Sequence, residues 1–359
     1  MNPGYRLVED ADLRRRNTLG VAARAPLLAE VQDNAALAEV LARPGFRGGP
    51  ALVLGGGSNL LFAGDAPGAV LALRSQRIAV LGEDGGTTIV RAEAGVDWDA
   101  CVRWTLAQGL GGLENLTLIP GTVGAAPIQN IGAYGVEVAD RIHAVEAWDM
   151  EAAQLRRLAP ADCAFAYRDS RFKREAGRWI VTAVEFALSR RPVLQLDYAG
   201  IIDELAAMGV DAPDAQQVAD AVTRIRRRKL PDPTVVGNAG SFFKNPIVPA
   251  SLAAVLQDAH PALPVFPLAP FPADAALHDE TGTAGLRKLS AAWLIDACGW
   301  KGHRDGDAGV STEHALVLVN HGEATGQQLL DLARRIAASV DARFGVALEP
   351  EPRIIGAAW

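Results

Sequence analysis

Apolar and polar positions divide the chain into a strand-rich first half and a more helical second half. The first apolar run with strand character is Ala51–Leu54, which passes at once into Gly55-Gly56-Gly57-Ser58-Asn59 and then Leu60, Leu61 and Phe62. Short apolar stretches separated by turn residues follow at Val70–Leu73, Ile78–Leu81 and Thr87–Ala92, the last alternating as a half-buried strand does. A helix is predicted next: Asp97 or Asp99 caps a segment carrying Cys101, Val102, Trp104 and Leu106, which ends at Gly109. A second glycine-rich stretch runs from Ile119 to Gly135, and strands resume at Ile142–Trp148 and Trp179–Leu188. The pattern turns predominantly helical from about 189 to 215. There Pro213 and Asp214 start a helix with Val218, Val222 and Ile225 on one face, which stops before Pro231. Prolines at 261, 264, 267, 270 and 272 make 260–272 a structured loop or surface insertion. Thr325 and Gln328 have capping-box spacing ahead of a helix bearing Leu329, Leu330, Ala333, Ile336 and Val340, and Gly345 separates it from a short strand, Val346–Leu348.

Composition adds bounds rather than a function. With 359 residues, 49% hydrophobic and 21% charged, the chain is long enough for two domains and a real core. No run of about 18 apolar residues occurs, and the N-terminus lacks the apolar stretch of a secretory signal, so a cytoplasmic protein without membrane association is expected. The formal charge of −7 repels nucleic acid, so an anionic ligand needs a local cationic patch. Cys101, Cys163 and Cys298 are widely spaced and odd in number, which excludes a disulfide framework and points to reduced, mostly buried thiols. His303, Asp305 and Asp307 sit in a glycine- and aspartate-rich turn, and no metal is expected there.

Two glycine-rich turns, Gly55–Asn59 and Pro120–Pro127, each offer unhindered backbone N–H groups to phosphate oxygens. Either alone is explained by turn chemistry; two in one α+β domain point to a diphosphate-bearing cofactor. A dinucleotide-binding βαβ unit would need a third glycine where Leu60 stands and a helix afterwards, but Phe62-Ala-Gly-Asp-Ala-Pro breaks the chain instead. The remaining polar candidates read either way on residue type alone. Arg168 beside Asp169 suits an ion pair as well as a ligand; Ser241 after Gly240 suits a turn; Glu349 and Glu351 suit the surface. Tyr198 suits packing, and the cations of Arg224–Lys229 suit a solvated helix end.

Six motifs change that balance. LGGGSNLL at 54–61, IPGTVGAAPIQNIGAYG at 119–135, AYRDSRFK at 166–173, KLPDP at 229–233, GNAGSFFKNP at 237–246 and LEPEPRIIG at 348–356 are similar, in order, to motifs of the UDP-N-acetylenolpyruvoylglucosamine reductases, type I branch. With the NTLG at 17–20 they span about three-quarters of the chain.

The resemblance implies an α+β protein with a FAD-binding cradle of the vanillyl-alcohol-oxidase (PCMH) type over 1–214. It implies a C-terminal α+β substrate-binding domain over 215–359, whose last strand returns to the FAD domain. It implies noncovalent FAD held by Gly55, Gly56, Gly57, Ser58, Asn59, Gly121, Thr122, Gly124 and Ala125, with NADPH as co-substrate and UDP-N-acetylglucosamine enolpyruvate as substrate. Arg168 and Glu351 match the groups that share the enolate, and Ser241 matches its proton donor. Tyr167, Tyr198, Arg226, Lys229 and Asn245 match substrate contacts, and a monomer is expected. Two departures stand out: AGWLI is Ala-Ala-Trp-Leu-Ile at 291–295, and the glutamine near the substrate carboxylate in type I members is Ala297. Two other readings of the fold are a flavin oxidase acting on an alcohol or phenol, and a nucleotide-sugar sensor without catalysis.

Overall fold

The computed structural model describes residues 4–198, 200–267 and 285–359. Its chain divides into two compact units: Met1–Ala11, Ala25–Gly56 and Ala66–Arg228 form the first; Asp12–Arg24, Gly57–Asp65 and Lys229–Trp359 form the second. The boundary thus falls at 228/229 instead of 214/215. The reason is the helix Ala215–Lys229, whose Val218, Ala221, Val222 and Ile225 form one buried cluster with Ile201 and Leu205 of the first unit.

The first unit is built on two large sheets, beside the short pair Gly132–Ala133 and Val136–Glu137. One is ordered Tyr5–Asp12, Arg24–Val31, Val70–Leu73, Leu52–Leu54, with the last three mutually parallel (Leu28 and Leu52 both beside Val70). The other is antiparallel, ordered Gln154–Leu158, Ile142–Asp149, Trp179–Leu188, Thr87–Glu93, Ile78–Asp84. Its central strand Trp179–Leu188 is buried at nine of its ten positions. That matches its predominantly apolar sequence, broken by Thr182 and Glu185, because a strand covered on both faces needs no alternation. The helix Trp98–Ala107 is capped by Asp97, which accepts from Ala100 N–H at 2.9 Å; Trp98, Cys101 and Val102 bury one face.

In the second unit, Gly237–Ser241, Val317–Asn320, Ala308–Val310 and Arg304–Asp305 make a four-stranded sheet. The helix Gly326–Phe344 begins at the Thr325/Gln328 capping box. Ile247–Pro249, Leu286–Leu289 and Val265–Phe266 make a three-stranded sheet.

Several expectations are corrected. Tyr5–Asp12 and Arg24–Val31 are strands that precede the first apolar run. The described residues between 189 and 200 hold no helix; the first helical residues described after Leu188 are Ile201–Ala207. Val346–Leu348 is not a strand: Val346 and Leu348 are buried anchors, and strand pairing resumes at Arg353–Ile355 after Pro350 and Pro352. Arg353–Ile355 pairs in parallel with Leu60–Phe62, and both strands belong to the second unit, because the chain leaves the first unit between Gly56 and Gly57 and re-enters it at Ala66. Of the proline-rich stretch, positions 270 and 272 lie outside the described residues.

Candidate active site

In the first unit the two glycine turns are stacked backbone to backbone. A Cβ on Gly56 would lie 3.0 Å from Gly121 Cα, and one on Gly55 would lie 2.7 Å from Thr122 Oγ1 and 3.4 Å from Ala125 Cβ. The second turn is pinned from below: Val123 N–H donates to Val96 O (2.9 Å), Gly124 N–H to Ala94 O (3.0 Å), and Trp98 N–H to Gly121 O (3.1 Å). Gly124 must be glycine because its Cβ would press on Ala94 at 2.5 Å. Two glycine-rich turns fixed against each other form a cradle in which a Cβ added at Gly55, Gly56 or Gly124 has no room, which is the geometry a diphosphate needs to approach backbone N–H groups. These residues therefore fit a diphosphate-bearing cofactor such as FAD.

The turn bearing Arg168 is tied to the same loop. Ser170 Oγ donates to Ile128 O (2.7 Å), the Arg168 guanidinium Nη2 donates to Gly132 O (2.8 Å), and Asn130 Nδ2 donates to Ala166 O (3.1 Å) and Glu137 Oε2 (2.5 Å). Ala166 and Asp169 exchange backbone hydrogen bonds of 3.0 and 3.1 Å across the turn. Arg168 and Asn130 both occupy the left-handed region, at φ 54° and 46°, where non-glycine residues are held only by surrounding contacts. Asp169, the partner a purely structural reading of Arg168 would use, is engaged by Arg174. The Arg168 guanidinium lies over the Tyr167 ring, 5.4 Å from its centroid.

Helical periodicity sorts the cations of Arg224–Lys229. Arg224 and Arg228, four apart on one face, both meet the buried Glu204. Arg226 instead interacts with Tyr134, whose ring meets Tyr198 edge-on at 5.1 Å between centroids. Burial pulls the Arg226 guanidinium below its ordinary pKa, with Tyr134 and Asp99 opposing, and burial pushes the Tyr134 phenol up. Among the described residues, Arg226 Nε makes no hydrogen bond.

In the second unit, Gly57 takes φ 65° and a Cβ there would strike the Arg16 carbonyl; Thr18 N–H donates to Gly57 O at 3.1 Å. The NTLG segment is held in shape by buried Asn17, which bridges Leu13 O (2.9 Å) and Val21 O (3.0 Å) through Nδ2. Asn59, Ser241 and Glu351 are brought into one neighbourhood. Glu351 N–H donates to Phe242 O (2.7 Å), Asn59 Nδ2 donates to Glu351 O (3.4 Å), and Arg353 N–H donates to Asn59 O (3.0 Å). Ser241 ends its strand opposite Val317, after Gly240 at φ 67°. Glu349 is an outward residue paired with Lys244 at 2.8 Å, whereas Glu351 is partly buried. Lys229 is exposed, and it and Lys301 face His314, whose pKa is lowered by burial and by the two lysines. Asn245 uses its Oδ1 to hold the start of the helix Ala291–Ala297 through Ala291 N–H (3.0 Å). The Ala297 carbonyl, at the position of the missing glutamine, is taken by Arg343.

Sequence reasoning passed over Asn115, Asn130 and Tyr134. The available signal was polar residues inside apolar, glycine-rich motifs, where burial demands partners. Asp305 pairs with Arg335 (2.5 Å) and Asp307 with Arg304 (3.3 Å), and no group of three potential metal ligands occurs among the described residues. Cys101 and Cys163 are free and buried, their thiols pushed up to about 12 by burial.

A family profile described as UDP-N-acetylenolpyruvoylglucosamine reductase, C-terminal domain, matches residues 232–355, and one described as FAD binding domain matches 25–158. The chain is 56% identical to the UDP-N-acetylenolpyruvoylglucosamine reductase of Xanthomonas euvesicatoria pv. vesicatoria over 100% of this chain and 99% of that protein. It is 57% identical to the reductase of the same name from Xanthomonas axonopodis pv. citri, over 99% and 98% respectively. Among solved structures, UDP-N-acetylenolpyruvylglucosamine reductase from Thermus caldophilus is similar with a TM-score of 0.65 and 27% identity, covering 98% of both chains.

Proposed function

Because this chain belongs to the UDP-N-acetylenolpyruvoylglucosamine reductase family, we infer that it reduces UDP-N-acetylglucosamine enolpyruvate to UDP-N-acetylmuramate with NADPH and FAD, in peptidoglycan precursor synthesis. The observation that carries the cofactor is the Gly55–Gly56 turn stacked on Gly121–Ala125. Gly55, Gly56, Gly121, Thr122, Gly124 and Ala125 hold FAD, and Gly57, Ser58 and Asn59 continue the same loop. Hydride chemistry between NADPH and the enolpyruvyl double bond is supplied by FAD when bound.

What remains for the protein is charge and a proton. When hydride reaches the methylene carbon, negative charge develops on the carboxylate-bearing side. Arg168, preset by Gly132 and Tyr167, meets it with a guanidinium fork. Glu351 shares the enolate with Arg168, and Ser241 delivers the proton to the ether-bearing carbon. Lys229 neutralises the diphosphate, Tyr198 covers it, and Tyr167 and Asn245 contact the nucleotide sugar. Arg226 serves the substrate through Tyr134 rather than as a solvent-facing cation, which the Arg226–Tyr134–Tyr198 chain of contacts supports.

The enzyme acts as a monomer in the cytoplasm, and its product feeds cell-wall growth, cell shape and division. No helix among the described residues is long and apolar enough to cross a membrane. The test is product analysis: with NADPH the enolpyruvyl ether is expected to gain one hydride and one proton, giving a lactyl ether, with one NADPH consumed per product. NADPH oxidation without that product would overturn the assignment.

A further inference from the structure

The segment 190–198 carries no regular secondary structure, yet it is fastened along its length. At its start Gly111 and Ser189 exchange backbone hydrogen bonds of 2.8 and 3.1 Å, and a Cβ on Gly111 would sit 2.5 Å from Pro192 Cγ. Leu194 and Leu196 pack on the Ile201–Val222 cluster. At its end Tyr198 is half-exposed against Tyr134. Between these points stands Asn115, 1% exposed, whose single amide nitrogen donates both to Gln195 O (2.8 Å) and to Tyr134 O (2.9 Å).

The turn that presents Asn115 is itself fixed. Gly112 N–H donates to the buried Glu114 carboxylate at 2.5 Å, and Gly112 O accepts from Arg141 Nε at 3.2 Å. Both acceptors of Asn115 are carbonyls, so the group at this position must supply two protons from one atom. A flipped amide or a carboxylate would set oxygen against oxygen. Asn115 Oδ1 makes no hydrogen bond among the described residues, so nothing else there competes to turn the amide.

We propose that Asn115 is a positioning residue for Tyr198: it buttons the base of the 190–198 strap to the Tyr134 loop, and so limits the range from which Tyr198 closes over the diphosphate. This rests on the reading of Tyr198 as a diphosphate contact. A strap pinned at Gln195 leaves only Leu196 and Asp197 between the anchor and Tyr198, and a restriction of that kind lowers the ordering cost of binding. The left-handed backbone at Tyr134, φ 49°, is held in part by the same amide.

The experiment uses the full FAD-loaded enzyme in two arms. In the first, hydrogen–deuterium exchange of the strap is compared between the parent and Asn115→Ala; faster exchange in the strap is expected, and unchanged exchange would overturn the proposal. In the second, UDP-N-acetylglucosamine enolpyruvate is titrated into the oxidised parent, Asn115→Ala, Tyr198→Ala and the double variant. Asn115→Ala is expected to raise Kd roughly five- to thirtyfold in the parent and to add nothing in the Tyr198→Ala background. An equal loss in both backgrounds would contradict action through Tyr198. If Tyr198→Ala alone binds like the parent, the diphosphate reading falls, and the strap-exchange arm still decides whether Asn115 anchors it. Asn115→Asp, nearly the same shape but without the donors, is expected to be at least as damaging as Ala. Should Asn115→Ala not fold, Asn115→Ser, which keeps one donor, carries both arms.

Discussion

At the scale of single residues, chemistry and scaffolding are separable by what each side chain touches. Ser241 ends a strand and is not needed to close any buried network named above, so Ser241→Ala is expected to leave NADPH reduction of the flavin nearly intact. Turnover is expected to fall roughly 10²–10⁴-fold, the range for a lost general acid. Stopped-flow absorbance of the two half-reactions separates these; equal loss in both would assign Ser241 to support of the flavin or the fold. Lys229→Ala is expected to raise the substrate Kd roughly ten- to a hundredfold, as for one charge-assisted phosphate contact, and Tyr198→Phe to cost less because only the hydroxyl goes. Calorimetric titration of the oxidised variants measures both. None of these roles is legible from residue type alone: Ser241 reads as a turn, Glu351 as surface and Arg168 as half of an ion pair. Motif order was what set them apart, and the structure adds that Asp169 belongs to Arg174. Asn115 and Asn130 stayed hidden because each donates to a backbone carbonyl far along the chain, up to 80 residues away, and no periodicity encodes such pairs.

At the scale of elements, strands and helices with one dominant signal were readable, and those built on tertiary context were not. Trp179–Leu188 is predominantly apolar and forms a buried strand; Thr325 and Gln328 cap their helix as spaced. Tyr5–Asp12 escaped because its burial follows no alternation, several of its polar side chains facing solvent. Glu185 shows how a charge is tolerated in the central strand: buried, it receives Arg157 Nε and Nη2 at 2.8 and 2.6 Å, with His143 nearby. The Arg157 hydrogen bonds outweigh burial and hold the Glu185 carboxyl below its ordinary 4.5. Because the folded value is depressed, this stabilisation is fully present above pH 4.5 and is lost as pH falls through the lower folded value. Glu185→Gln is therefore expected to cost about 1–2 kcal/mol at neutral pH, discounted for the half-exposed arginine, and progressively less in acid. Denaturant unfolding of both proteins across pH checks this; a pH-independent difference would refute the ionic origin. The glycine cradle gives a second test. Gly56→Ala forces a methyl toward the Gly121 backbone, 3.0 Å away at ideal geometry, and is expected to yield folded protein with much reduced flavin content. The ratio of visible to ultraviolet absorbance reads it directly.

For the whole molecule, the formal charge of −7 makes binding of anionic substrates depend on local cations, and the structure divides these by task. Arg224 and Arg228 meet Glu204, Arg226 supports Tyr134, and Lys229 stands with Lys301 beside His314. The division into two units follows the chain less simply than a cut at one position, because Asp12–Arg24 and Gly57–Asp65 join the C-terminal residues. That exchange was not legible in the sequence: it depends on Asn17 and Gly57 fitting each other and on Leu60–Phe62 pairing with Arg353–Ile355. The central claim is that one flavin links NADPH to the enolpyruvyl ether. It is tested most directly by the visible spectrum of the purified protein under anaerobic conditions. NADPH is expected to bleach a flavin band, alcohols and phenols are expected not to, and UDP-N-acetylglucosamine enolpyruvate is expected to restore it mole for mole. A colourless protein, or a reduced flavin that the substrate leaves bleached, would contradict the account.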